Sequence, residues 1–128
     1  MERSPFRVIF EDESGVINED EPGNAIGWRG DRVRCCKAMP DIEHYYGFGE
    51  KLMRLDRRRH RMTMWNTDAG LHHPNSDPLY VDIPFYIGHR RGRSYGIFFD
   101  NTWKSVFNMG GAALRYAYFQ AEGGEANY

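Results

Sequence analysis

The sequence is poor in cysteine and has no long apolar run. Its two cysteines, Cys35 and Cys36, are adjacent. Neighbouring residues of a strand point to opposite faces, so a disulfide between the two would be strained. No segment resembles a signal peptide or is long and apolar enough to span a membrane. These absences argue against a disulfide framework or a membrane protein, and we expect a cytoplasmic location.

The chain also lacks a charge excess of either sign. Lys and Arg total 17 against 18 Asp and Glu, which gives a net charge of −1 over 128 residues. Such a balance favours neither a nucleic-acid partner nor an anionic membrane. The basic cluster at residues 57–61 has no interleaved aromatic residues of the kind that stack on bases, so we interpret it as a solvated turn.

Metal-ligand spacing is missing as well. His72 and His73 are adjacent and lie near Asp68 and Asp77 in sequence, but no H-x-x-x-H or C-x-x-C pattern accompanies them. Neighbouring histidines on a loop rarely converge on one ion without a third spaced ligand. We therefore expect no metal and no cofactor.

What the chain has in quantity is glycine and aromatic residues. There are 14 glycines, and Phe, Trp and Tyr make up 15% of the sequence. Apolar and polar residues alternate in short segments such as 6–10, 33–37 and 61–66, and no stretch keeps a helical period. This pattern predicts an all-β domain.

The second half of the chain carries the strongest strand signals. Ile83, Phe85 and Ile87 share one face of a predicted strand, and "HRRGRS" predicts a hairpin turn around Gly92. Further strands follow at residues 95–99, 103–109 and 114–119, where Leu114 begins a last alternation. We predict an antiparallel meander here. Residues 18–31 and 70–79 are predicted to be loops.

The segment "MWNTDAG" raises a choice between binding and turn formation. A carboxylate accepts two hydroxyl hydrogen bonds, and an aromatic ring offers a flat apolar face to a sugar. Trp65, Asp68 and Tyr80 provide that combination. The alternative is that Asn66 and Asp68 cap a turn while Trp65 belongs to the core. No second carboxylate is spaced to pair with Asp68 for glycosidase chemistry.

The segment "YGFGE" places Gly47 and Gly49 on either side of an aromatic residue. Glycine allows tight turning and close backbone approach, and Glu50 is expected to accept buried backbone N–H groups. The segment is not a dinucleotide fingerprint, because a third glycine is missing.

Several segments together resemble the N-terminal region of glycoside hydrolase family 31, the family of α-glucosidases and α-xylosidases. They are "SPFRVIFEDESGVI", "HYYGFGEKLMRLDRRRHRMTMWNTDA", "SDPLYVDIPFYIG", "RSYGIFFDNTWKSVFNMG" and "YFQAEGGEANY". The resemblance implies an antiparallel β-sandwich of the galactose-mutarotase-like type, incomplete here, with residues 1–128 as a single domain. The family's catalytic (β/α)8 barrel needs about 250 residues and cannot lie in this chain, so no residue here is expected to be catalytic.

The resemblance also implies roles for particular residues. Asp68, with Trp65 and Tyr80, is expected to bind substrate, and the segment from Gly47 through Gly49 to Glu50 is expected to shape the seam with the barrel. The implied function is that of the N-terminal module of a retaining α-glycosidase acting on α-glucosides. Gly70 follows where relatives carry a side chain, so no contact is expected from it.

Two other functional classes stay open at this point. One is a stand-alone carbohydrate-binding module, which needs a complete sugar site without a barrel. The other is a mutarotase or epimerase, whose general acid and base motifs are missing from the sequence. We also expect the isolated chain to self-associate, because a truncated sandwich exposes apolar surface and open strand edges.

Overall fold

Alternating apolar residues form a fold made of β-strands. A computed structural model describes residues 6–111 and 115–128. The strands in this part are β1 (Ile9–Asp12), β2 (Gly15–Glu19), β3 (Ile26–Arg29), β4 (Arg32–Ala38), β5 (His44–Gly49), β6 (Arg61–Met64), β7 (Asp82–Arg90), β8 (Arg93–Phe98), β9 (Ser105–Asn108) and β10 (Tyr116–Ala121). Over these ranges the all-β prediction is confirmed.

The strands pair antiparallel in three sheets. A five-stranded sheet has the order β3-β4-β10-β9-β6, a three-stranded sheet has the order β5-β7-β8, and β1 and β2 form a hairpin. The described ranges contain no helix that could cross a membrane.

The core lies between the five-stranded and three-stranded sheets. Phe107 on β9 makes edge contacts with Phe48 (centroids 5.1 Å apart) and Tyr86 (6.2 Å apart) from the opposite sheet. Aromatic residues dominate because each ring buries a large apolar area. The buried cluster consists of Val33, Cys35, Met39, Tyr45, Phe48, Met62, Met64, Tyr86, Ile97, Phe99, Phe107, Met109, Ala117, Phe119 and Ala121. The predicted sandwich is therefore confirmed.

The hairpin of β7 and β8 forms where the sequence predicts it. Arg91 and Gly92 make a two-residue turn with φ values of 51° and 75°, as a type I′ turn requires. Ile83, Phe85 and Ile87 do share a face, but that face points away from the core and all three side chains are exposed. Together with Phe98, paired opposite Phe85, they form what we call the outer apolar face.

Two predictions about chain organisation are wrong. The C-terminal strands do not form one meander, because β8 belongs to the three-stranded sheet while β9 and β10 pair in the five-stranded sheet. The predicted loop at residues 18–31 contains β3, which pairs with β4 from Ile26↔Cys35 to Arg29↔Arg32. The meander error concerns pairing between segments far apart in the sequence, which local patterns do not report. The strand β3 pairs with the next strand of the chain, and Gly27 and Gly30 give its sequence the appearance of a loop. Of the alternation expected from Leu114, only Leu114 itself lies outside the described residues. The remainder is confirmed, because partly exposed and buried side chains alternate along β10.

The basic cluster at residues 57–61 is not simply a solvated turn. Arg57 is only 7% exposed, and its guanidinium donates to the Met53 carbonyl oxygen (2.9 Å). The Arg58 guanidinium donates to the carbonyl oxygens of Pro40 and Glu43, both at 2.8 Å. The planar fork of donors on arginine lets one side chain hold several loop carbonyls. These two arginines therefore tie neighbouring loops together.

The two cysteines are free and buried on opposite sides of β4. Cys35 joins the core cluster, while the Cys36 sulfur faces the Asn24 amide at 3.5 Å. Burial raises the pKa of Cys35 to about 12 and that of Cys36 to about 11. Both side chains are therefore neutral packing residues near neutral pH.

Candidate functional site

The candidate site is built on the long connection between β6 and β7, residues 65–81, which we call the contact loop. The two arms of the loop meet where the Thr67 N–H donates to the Leu79 carbonyl oxygen (2.8 Å). The Thr67 hydroxyl also donates to the Trp65 carbonyl oxygen (2.8 Å). The side chain of Leu79, within the loop, is buried. The loop is therefore an anchored structure that presents its tip to solvent.

Asp68 and Tyr80 lie together on this loop. The Tyr80 hydroxyl donates to the Ala69 carbonyl oxygen (2.8 Å). Partial desolvation of that hydroxyl and the neighbouring Asp68 carboxylate raise the pKa of Tyr80 above its usual value. Both side chains are exposed, and the His72 ring packs edge-on against Tyr80 with centroids 5.5 Å apart. A carboxylate and an aromatic ring are thus available side by side to a ligand.

Trp65 faces a different part of the surface. Its side chain is 51% exposed and lines a cleft of about 460 Å³ together with Phe98 and Trp103. Asp68 and Tyr80 are not among the residues that line this cleft. The structure therefore divides the three predicted binding residues into an Asp68–Tyr80 pair and an aromatic cleft at Trp65.

The turn-only alternative is right for one residue and wrong for another. The Asn66 side-chain oxygen accepts a hydrogen bond from the Asp82 N–H (2.8 Å), so Asn66 does stabilise the loop. Trp65 is exposed and does not belong to the core. Asp68 is exposed, and its carboxylate lies beside the Tyr80 hydroxyl at the surface.

The segment from Gly47 to Glu50 shapes the surface beside the loop. The register of β5 against β7 shifts between Gly47 and Gly49. Phe48 adopts a φ of 71°, which turns its ring into the core against Tyr86 with centroids 5.5 Å apart. The expected lock by the Glu50 carboxylate is wrong, because this side chain is exposed. Its backbone N–H closes the turn instead, donating to the Val81 carbonyl oxygen (2.7 Å).

Lys51 is the residue of this region that sequence reasoning missed. Its side chain is fully buried and contacts the carboxylates of Asp77 and Asp82. A weak signal was present in the sequence, since a lysine lies two positions after the strand that ends in "YGFG". In the sequence, Asp77 and Asp82 are separate carboxylates, and no motif relates either of them to Lys51. Their common pairing with Lys51 is visible only in the tertiary structure.

The geometry supports ligand binding more readily than bond cleavage. Asp77 and Asp82 are occupied by Lys51, which leaves Asp68 as the exposed carboxylate of the contact loop. Within residues 6–111 and 115–128, no three His, Cys, Asp or Glu side chains are grouped to hold a metal ion. A single exposed carboxylate beside an aromatic ring suits recognition of a polyhydroxy ligand.

Sequence comparison connects this geometry to known enzymes. The chain is 44% identical over 131 aligned residues to alpha-glucosidase 2 of Bacillus thermoamyloliquefaciens, covering 100% of this chain and 16% of that protein. It is 41% identical over 90 residues to an alpha-glucosidase of Saccharolobus solfataricus, covering 70% of this chain and 13% of that protein. The chain thus spans about a sixth of the length of these relatives or less.

Structural comparison agrees with the sequence comparison. A mutant GH31 dextranase of Flavobacterium johnsoniae, solved with isomaltotriose, superposes with a TM-score of 0.88 at 34% identity. The match covers 95% of this chain and 15% of the dextranase chain. Residues 1–108 match the model of the glycosyl hydrolase 31 N-terminal galactose mutarotase-like domain. The chain therefore belongs to that domain family.

Proposed function

We propose that this chain acts as the N-terminal β-sandwich module of a retaining α-glycosidase that hydrolyses α-glucosidic bonds. In this proposal the module supplies part of the sugar-binding site, and the catalytic carboxylates belong to a (β/α)8 barrel in the same polypeptide. The relatives named above are alpha-glucosidases and a dextranase. Their common substrate chemistry is an α-linked glucoside or oligosaccharide.

The observation that carries the proposal is the exposed pair of Asp68 and Tyr80 on an anchored loop. A carboxylate can accept hydrogen bonds from two neighbouring sugar hydroxyls, and these charge-assisted bonds are stronger than neutral ones. The Tyr80 ring gives a wall for the apolar face of the sugar. Trp65, on its own cleft, extends the apolar surface available to a longer oligosaccharide.

The segment of Gly47, Gly49 and Glu50 is proposed to form part of the seam with the barrel. The two glycines adopt φ values of 112° and 76°, and the backbone here approaches β7 closely. The turn then presents Glu50 at the surface next to the end of the contact loop. This placement lets one rigid turn set both the seam and the position of the loop.

The first test compares the isolated 128-residue chain with the full-length enzyme. We expect no turnover of a chromogenic α-glucoside by the chain alone, because both catalytic carboxylates are proposed to belong to the barrel. Calorimetric titration of the chain with maltose or isomaltose is expected to give no heat of binding. A dissociation constant below about 1 mM would instead favour a stand-alone carbohydrate-binding module. Measurable turnover by the chain alone would contradict the proposal that the catalytic carboxylates belong to the barrel.

A second test concerns partners of the isolated chain. We propose that it self-associates through the outer apolar face, where Ile83, Phe85, Ile87 and Phe98 are all exposed. Contiguous apolar surface of this kind promotes association in water. Light scattering is expected to show a mass above 15.0 kDa that rises with concentration, and Phe85→Lys is expected to reduce it. A monodisperse monomer at high concentration would refute the proposal.

A further inference from the structure

Lys51 connects both ends of the contact loop through one buried ammonium group. Its Nζ donates to the Thr63 carbonyl oxygen (2.7 Å) at the end of β6. It also donates to Asp77 (2.7 Å), within the loop, and to Asp82, where β7 begins. A lysine ammonium has three N–H donors, so all of them are used. The group has no capacity left for solvent or ligand.

The two carboxylates pass this connection on to the backbone. The second oxygen of Asp77 accepts the Thr63 N–H (2.6 Å), and the second oxygen of Asp82 accepts the Trp65 N–H (2.9 Å). Asp77 therefore joins the ammonium to β6, and Asp82 joins it to the first residue of the contact loop. The start and the end of the contact loop are held together by these six groups.

The two carboxylates need the positive charge of Lys51 to lie this close together. The side chains of Lys51 and Asp82 are 0% and 3% exposed, and that of Asp77 is 13% exposed. Without the ammonium, two poorly solvated carboxylates would face each other with no cation between them. Breaking a buried ion cluster from one side is strongly unfavourable, and the simplest relief is for the loop ends to separate.

We propose that Lys51 is a positioning residue for sugar recognition, which holds the contact loop in the conformation that presents Asp68 and Tyr80. The inference rests on the proposed function of this loop. The ammonium does not touch the sugar-contact residues and acts through the backbone between them. Loss of this preorganisation raises the cost of ordering the loop on binding, so KM is expected to change more than kcat.

The test replaces Lys51 in the full-length enzyme and follows both exchange and kinetics. Lys51→Met is expected to raise amide hydrogen exchange in a peptide covering residues 63–82 by about 100-fold. Exchange in β4 and β10 is expected to stay as in the unmodified enzyme. KM for an α-glucoside is expected to rise about tenfold, with kcat changed less than about threefold. Lys51→Arg keeps the charge, so its increases in hydrogen exchange and in KM are expected to be smaller than those of Lys51→Met.

Two further variants keep the test decisive. Lys104→Met makes the same chemical change at an exposed lysine and is expected to leave exchange at residues 63–82 unchanged. Asp77→Asn keeps the shape of the side chain and the ion pair of Lys51 with Asp82. It is expected to increase loop exchange by about tenfold, so the proposal stays testable if Lys51→Met fails to fold.

The outcomes separate this inference from the proposed function. Unchanged exchange at residues 63–82, or a uniform increase over the whole sandwich, would overturn a positioning role. If Asp68→Asn weakens substrate use while Lys51→Met leaves KM unchanged, the inference fails and the proposed function stands. If neither variant alters KM, the contact loop does not serve sugar recognition, and both are overturned.

Discussion

Replacing Gly49 by alanine is expected to lower the free energy of unfolding by about 2–5 kcal/mol. Gly49 has a φ of 76°, where a side chain costs about 1–2 kcal/mol. A Cβ atom built there would also overlap the Val81 carbonyl oxygen and lie 2.8 Å from the Ile83 nitrogen. Both neighbours are backbone atoms of a paired segment, so they cannot move aside without breaking the β5–β7 pairing.

Gly92 provides a matched control for this substitution. Its φ of 75° is nearly the same, yet a Cβ atom there meets nothing within 4 Å. Gly92→Ala is expected to lower the free energy of unfolding only by the cost of the backbone conformation, about 1 kcal/mol. Urea unfolding followed by tryptophan fluorescence measures both values. Equal destabilisation by the two substitutions would show that close approach to β7 does not require glycine at position 49.

Replacing Asp68 by asparagine is expected to lower kcat/KM of the full-length enzyme for an α-glucoside by about 30-fold. Hydrogen bonds to a charged group contribute about 1.5–3 kcal/mol, and each 1.4 kcal/mol corresponds to a factor of ten. Asparagine keeps the shape of the side chain but has one acceptor oxygen in place of two. The melting temperature is expected to change little, because Asp68 is exposed.

The control for Asp68→Asn is Asp31→Asn, which makes the same change at an exposed turn between β3 and β4. It is expected to leave kcat/KM within about twofold of the unmodified enzyme, since isolated surface charges contribute little. If Asp68→Asn lowers the melting temperature and leaves kcat/KM intact, Asp68 is a turn residue and not a substrate contact.

Part of the candidate site was predictable because its signals are local. The segment "MWNTDAG" places an aromatic residue, a carboxylate and turn-forming residues within a few positions, and the loop after it is rich in Gly, Pro and Asn. Asp68 and Tyr80 do come together. Trp65 points to a separate cleft, since side chains of an extended segment alternate between faces. The sequence pattern alone does not reveal which side chains of the loop point to the same surface.

The buried ion cluster of Lys51 with Asp77 and Asp82 was not predictable from the sequence. Lys51 lies 26 positions from Asp77 and 31 from Asp82, and no short motif relates charges at such separations. Likewise, Arg57 in a run of arginines looks like a surface residue until the carbonyl groups around it are placed. Burial of a charge depends on partners from distant segments, so it becomes visible only when the chain is folded.

The sequence by itself determined the β class of this protein, the β7–β8 hairpin, the family of the domain and the position of its exposed carboxylate. These properties follow from alternation, turn chemistry and short motifs, which act over a few residues. Only the tertiary structure decided that β9 and β10 belong to a different sheet from β8, that Glu50 is exposed, and that Lys51 holds the contact loop. Those facts depend on pairing and charge compensation between segments far apart in the chain, where local preference has no influence.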